Sequence, residues 1–100
     1  MFEAKKLDEI SKGLLEAANL IEKKGWWDGS RNGFFLDGKV CAGLAICEVF
    51  HNKEMEASKA FVRLALQAGV KGREDIPRWN DQSNAETVVR TIREAAYNQG

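Results

Sequence analysis

The sequence predicts a mostly α-helical single domain over residues 1–100, with four helices and one short β-hairpin between the first and second. Three observations carry this. Apolar residues recur at helical spacing in both terminal thirds of the chain. A nearly unbroken apolar segment lies near the middle. The dipeptide Asp37-Gly38 stands between apolar β-formers. For a chain of 100 residues, size scaling buries about 65% of the unfolded surface, enough for one core.

The first helix is expected at about 3–24. Leu7, Ile10, Leu14, Ala17 and Ile21 form one apolar stripe, and most of the charges fall on the other side. Gly13 reads as an interior blemish costing about 1 kcal/mol against Ala. Lys23 and Lys24 suit the negative end of the helix, and Gly25 suits its C-terminal stop. A loop follows, Gly25-Trp26-Trp27-Asp28-Gly29-Ser30-Arg31-Asn32-Gly33. The hairpin is expected over about 33–41, with Asp37-Gly38 at its turn because both central residues of such a turn need positive φ.

The second helix is placed at about 41–51, where only Glu48 interrupts the apolar run from Ala42 to Phe50. The third is placed at about 54–68, with Ala57, Ala60, Phe61, Leu64 and Ala68 inward and Gly69 as its C-terminal stop. Residues 71–82 read as a polar connection in which Pro77 drives Ile76 to an extended conformation. The last helix is expected over about 83–98, opened by a Ser83-x-x-Glu86 capping box. Ala85, Val88, Val89, Ile92 and Ala96 are its inward face, and Glu86/Arg90 and Arg90/Glu94 are candidate i,i+4 pairs.

Composition excludes several function classes. Fifteen Lys+Arg balance fifteen Asp+Glu, and the balance holds segment by segment: five of each sign in 1–24, three in 25–53, two in 54–70, three in 71–81 and two in 82–100. A domain that lives on the phosphate backbone needs a clustered basic surplus, so direct nucleic-acid binding is not expected. No apolar run approaches the ~20 residues that cross a bilayer, so no membrane association is expected. The N-terminal Met1-Phe2-Glu3-Ala4-Lys5-Lys6 lacks the apolar stretch of a secretory signal, and a cytoplasmic location is the expectation. Cys41 and Cys47 read as free, buried thiols. Cys47 and His51 stand four apart but lack a convincing third and fourth ligand, so neither a metal nor another cofactor is expected. Both cysteines lie in apolar sequence, which disfavours a reactive thiolate, and no catalytic residue is assigned.

Two loop regions are candidates for recognition. In the first, one Trp packs under the hairpin (Trp26 is the choice) and Trp27 is left to anchor a partner, with Asp28, Arg31, Asn32 and Asp37 around it. In the second, Glu74, Asp75 and Asp81 are loop carboxylates beside Trp79. Trp79-Asn80-Asp81 has two open readings. It is a small-molecule-binding or catalytic site, or it is structural, with Trp79 plugging the core and the two polar residues capping a helix.

Gly25-Trp26, the hairpin into Cys41-Ala42, and Trp79-Asn80-Asp81 running into the helix around Ala85–Ala96 resemble a family of small phage and bacterial proteins of unknown function. Within that group the whole sequence resembles the phage-encoded anti-CRISPR proteins of the type I-F inhibitor group. The resemblance implies a stoichiometric, non-enzymatic inhibitor of the crRNA-guided surveillance complex. It would bind near the large Cas8-type subunit and an adjacent Cas7-type backbone subunit, and block target DNA from docking or opening. The contact residues Trp27, Asp28, Arg31, Asn32, Asp37, Glu74, Asp75 and Asp81 come from the loop reading, not from that resemblance. If their loops converge, a neutral chain still presents a local acidic face to a DNA-binding subunit.

Overall fold

The computed structural model describes residues 7–27 and 39–98. Five α-helices and one 3₁₀ turn make up these residues: α1 (Glu9–Lys24), α2 (Ala42–Val49), α3 (Glu54–Ala68), the 3₁₀ turn Arg73–Asp75, α4 (Ile76–Gln82) and α5 (Ala85–Tyr97). α1 is central, packing against α2, α3 and α5. Leu14, Ala17, Ala18 and Ile21 of α1 are buried together with Ile46 of α2, Phe61 and Leu64 of α3, Ile76 of α4, and Val88, Ile92 and Ala95 of α5. The many alanines in this set leave room for helix backbones to approach closely.

The expected four helices plus a hairpin are not what is seen. There is a fifth helix, and no strand occurs among the described residues. Residues 33–38 of the expected hairpin lie outside the described residues. The three that remain, Lys39–Cys41, contribute a single bridge, and it is parallel, from Val40 to Trp26. The Val40 N–H donates to the Gly25 carbonyl at 2.9 Å, and the Trp27 N–H donates to the Val40 carbonyl at 3.0 Å. Both polar groups of Val40 are therefore spent on the segment that leaves α1.

The extra helix, α4, occupies what the sequence suggested was a loop. Ile76 is helical, at φ −60° and ψ −44°, and not extended. Pro77 sits in the first turn, where its missing N–H has no intrahelical partner to lose. The steric bias against a helical residue before proline is outweighed by burial, since Ile76 is wholly removed from solvent.

Helix ends also move. α1 begins at Glu9, because Asp8 is extended and its side chain accepts the Ser11 N–H at 2.7 Å. α2 starts after Cys41, whose sulfur accepts the Leu44 N–H at 3.4 Å, and Phe50 ends it. α3 and its left-handed stop at Gly69 agree with the sequence reading. α5 is capped by Asn84, which accepts the Thr87 N–H at 2.8 Å. Ser83 instead donates its hydroxyl to the Trp79 carbonyl at 2.7 Å, so the expected Ser83–Glu86 box is not formed. Ala85 is exposed rather than inward.

Gly13 is no blemish. It is buried against the Phe50 ring, and a Cβ there would collide with three ring carbons. The glycine lets the end of α2 lie directly on α1.

Asp8 does a second job. Arg63 of α3 donates to its two carboxylate oxygens at 3.3 and 3.1 Å and to the Ser11 hydroxyl at 2.7 Å. These Arg63 bonds, then the Ser11 N–H, hold the Asp8 carboxyl well below the usual carboxylate range.

Two predictions follow from this packing. Gly13→Ala would stabilise an isolated helix by about 1 kcal/mol, whereas here it should destabilise the fold by about 1–3 kcal/mol through overpacking against Phe50; the sign is read from chemical denaturation. For Asp8, the folded-state pKa is depressed, so its contribution is present above the unfolded value of about 3.9 and fades as pH falls below it. The stability gap between the wild type and Asp8→Asn should be constant from neutral pH to about 5 and close below about 4, as measured by urea denaturation across that range.

Candidate functional site

Asn80, in the middle of α4, is a buried polar residue at 1% exposure. Its Oδ1 accepts the Trp26 indole N–H at 2.8 Å and the Ala42 backbone N–H at 3.0 Å. Its Nδ2 donates to the Trp27 carbonyl at 3.0 Å and to an Asp81 carboxylate oxygen at 3.3 Å. A side-chain amide has two acceptor and two donor positions, and all four are used. The Ala42 N–H is one of the amides at the start of α2 that no helical carbonyl can satisfy. One side chain thus joins the chain leaving α1, the start of α2 and the end of α4.

This settles how the Trp79-Asn80-Asp81 segment is built. Asn80 is a scaffold residue whose hydrogen-bonding capacity is used within the fold. Trp79 is half-buried and packs against the core. It also lines a shallow cavity of 380 Å³ with Val70, Lys71, Asp75, Arg78 and Gln82. Asp81 is exposed.

Of the expected contact residues, Asp28, Arg31, Asn32 and Asp37 lie outside the described residues. Trp27 and Asp81 are brought together, because both bond to the Asn80 amide. Trp26 and Trp27 are both half-buried, so the division into one inward and one outward Trp is less sharp than expected. Glu74 is exposed and Asp75 half-buried, both on the 3₁₀ turn before α4. That turn is held to α3 by the Arg73 guanidinium, 4.3 Å from the centre of the Phe61 ring. About six residues of helical rise, roughly 9 Å, separate Asp75 from Asp81 along α4. The loop carboxylates therefore form two groups, one at each end of this helix.

The cysteines are free, as expected, but not buried: Cys41 is half-buried at the start of α2, and Cys47 is exposed. An apolar sequence neighbourhood misleads here, because a short helix packed along one side leaves its other face to solvent. Leu44, on that same helix, is exposed as well. Among the described residues, no three His, Cys, Asp or Glu side chains converge as a metal set.

A larger cleft of 560 Å³ lies between α1 and α5, lined by Ile21, Glu22, Gly25, Trp26, Ala85, Glu86, Val89, Arg90 and Arg93. The Arg93 guanidinium donates to both Glu22 oxygens, at 2.6 and 3.1 Å, and to the Asn19 side-chain Oδ1 at 2.9 Å. The Arg93 bonds hold the Glu22 carboxyl below its usual range, and the pair raises the Arg93 guanidinium in turn. The expected Glu86/Arg90 and Arg90/Glu94 ion pairs do not form. Sequence reading missed this cleft because its walls are about sixty residues apart in the chain, and neither wall carries a local motif.

The chain belongs to a family of unknown function, DUF6197, whose profile matches residues 6–98. The family description assigns no activity and makes no link to anti-CRISPR proteins. No curated protein and no solved structure matches this family member. The match spans both Trp26-Trp27 and Trp79-Asn80-Asp81, the two segments that the Asn80 amide ties together.

Removing the amide strands the Trp26 indole, the Ala42 N–H and the Trp27 carbonyl. Asn80→Ala should cost about 2–4 kcal/mol, with Trp26→Phe costing about 1–2. The double variant should cost clearly less than the sum of the two, because they share a bond; additive losses in urea denaturation would contradict the shared node.

Proposed function

We propose that this chain is a non-enzymatic protein-binding domain that acts by occupying a partner's surface. The observation that carries the reading is that the Trp27 backbone carbonyl and the Asp81 carboxylate both accept from the Asn80 Nδ2. The bond fixes the backbone of a half-buried Trp and an exposed carboxylate at one buried node, and a Trp on a fixed backbone is the kind of pre-ordered anchor that dominates protein interfaces. A standard interface takes about 800 Å² from each partner, roughly an eighth of the 6642 Å² surface of the chain.

The particular target follows from the sequence resemblance alone. It is the type I-F crRNA-guided surveillance complex, at its Cas8-type and Cas7-type subunits, inside the host cytoplasm. There the carboxylates would stand in for target-DNA phosphates on a basic surface, so that a neutral chain competes locally with DNA. Glu74 and Asp75 form the second acidic group for the same surface. The rival reading, a small-molecule or catalytic site centred on Trp79-Asn80-Asp81, is disfavoured because the Asn80 amide has no bonding position left for a ligand.

The deciding experiment is co-purification with the reconstituted type I-F complex, followed by a target-DNA binding assay. The expected results are a stable stoichiometric complex and lost DNA binding. Trp27→Ala should weaken capture at least tenfold, and Asp81→Asn should weaken it less, with the fold intact by circular dichroism. Absence of co-purification would reject this target, and unchanged DNA binding by a captured complex would reject the mode of inhibition.

A further inference from the structure

The α1–α5 cleft combines an apolar floor with charges in two different states. Ile21, Trp26 and Val89 supply the apolar wall. Arg93 and Glu22 satisfy each other at the rim. Arg90 and Glu86, one helical turn apart on α5, are both exposed. Neither has a hydrogen-bond or ion-pair partner among the described residues, although the i,i+4 spacing would allow them to pair. Such a pair is worth only a few tenths of a kcal/mol, so a ligand that takes both charges displaces little. The cavity volume of 560 Å³ falls within the roughly 300–1,000 Å³ range of small-molecule sites.

The free groups are one cation and one anion, side by side over an apolar surface. A simple anion is attracted by Arg90 and repelled by Glu86, and a simple amine meets the reverse. A zwitterion with an apolar body satisfies both. We infer that the cleft binds a small apolar α-amino acid. Its carboxylate pairs with the Arg90 guanidinium, which suits a planar two-oxygen partner. Its ammonium pairs with the Glu86 carboxylate, and its side chain lies against Trp26 and Val89. Arg93, already committed to Glu22 and Asn19, holds the wall in place. The inference does not depend on the protein-binding reading, since it concerns the α1–α5 cleft and a different class of ligand, whereas that reading rests on Trp27, α4 and the turn before it.

The test is an amide-resolved NMR titration of the intact chain with L-leucine and L-phenylalanine at millimolar concentrations. Saturable shifts are expected at the Trp26 indole N–H and at the amides of Val89 and Arg90. Isocaproate, which lacks the amine of leucine, and isoamylamine, which lacks its carboxylate, should each bind about tenfold more weakly. Arg90→Gln and Glu86→Gln should each weaken leucine binding about tenfold while leaving the melting temperature nearly unchanged, because both side chains are exposed. The inference is overturned by an absence of saturable shifts with either amino acid, by isocaproate binding as tightly as leucine, or by unaltered binding to Arg90→Gln.

Discussion

The fold depends on one buried amide. Asn80 replaces water for three groups that would otherwise be stranded: an indole N–H, a helix-start N–H and a loop carbonyl. They belong to two separate segments, the chain leaving α1 and the start of α2. A buried polar residue is expensive unless all its valences are met, and here all four are. That completeness gives the node directional precision, which apolar contact lacks. It decides where the chain leaves α1, where α2 begins and how α4 is turned.

α1 is the element that α2, α3 and α5 pack around, and one close contact and two ion pairs lock it. Phe50 sits on Gly13, where only a missing side chain leaves room. Arg63 of α3 grips Asp8 at the start of the helix. Arg93 of α5 grips Glu22 near its end. Both ion pairs are half in water and contribute modest stability. Their role is register: they set how far α3 and α5 can slide along α1. With α5 held in this way, the apolar groove between it and α1 keeps its shape beside Arg90.

The DUF6197 match covers nearly the whole described chain. Two surfaces emerge on opposite sides of the same scaffold logic. The Trp27 carbonyl and the exposed Asp81 carboxylate both accept from the Asn80 amide. The α1–α5 cleft is lined by Trp26, which is bonded to that node through its indole. The adjacent tryptophans therefore meet the node differently: Trp26 bonds it through its indole and lines the cleft, and Trp27 bonds it through its backbone carbonyl.

Much of the helical content was legible in the sequence. α3 and its Gly69 stop follow from local pattern alone, as do the apolar faces of α1 and α5, because a helix's inward stripe is written at spacings of three and four. Charge balance was legible too, since it requires only counting. What failed was whatever depends on a distant partner. Gly13 looked like a flaw because Phe50 is far away in sequence. Ile76-Pro77 looked extended because local sterics say so, until full burial of Ile76 outweighs them. Ser83 looked like the cap of α5, but its hydroxyl is taken by Trp79 in the preceding helix, and Asn84 caps instead. Asn80 looked like either a ligand group or a cap of the helix that follows it, and the helix-start amide that it meets is instead that of Ala42 in α2, far away in the chain. By itself the sequence determined a neutral, predominantly helical chain with defined inward faces. Only the tertiary structure decided which polar side chains are spent on the scaffold and which remain free. Hydrogen-bond valence is finite, and the partners that use it up come from parts of the chain that meet only when it folds.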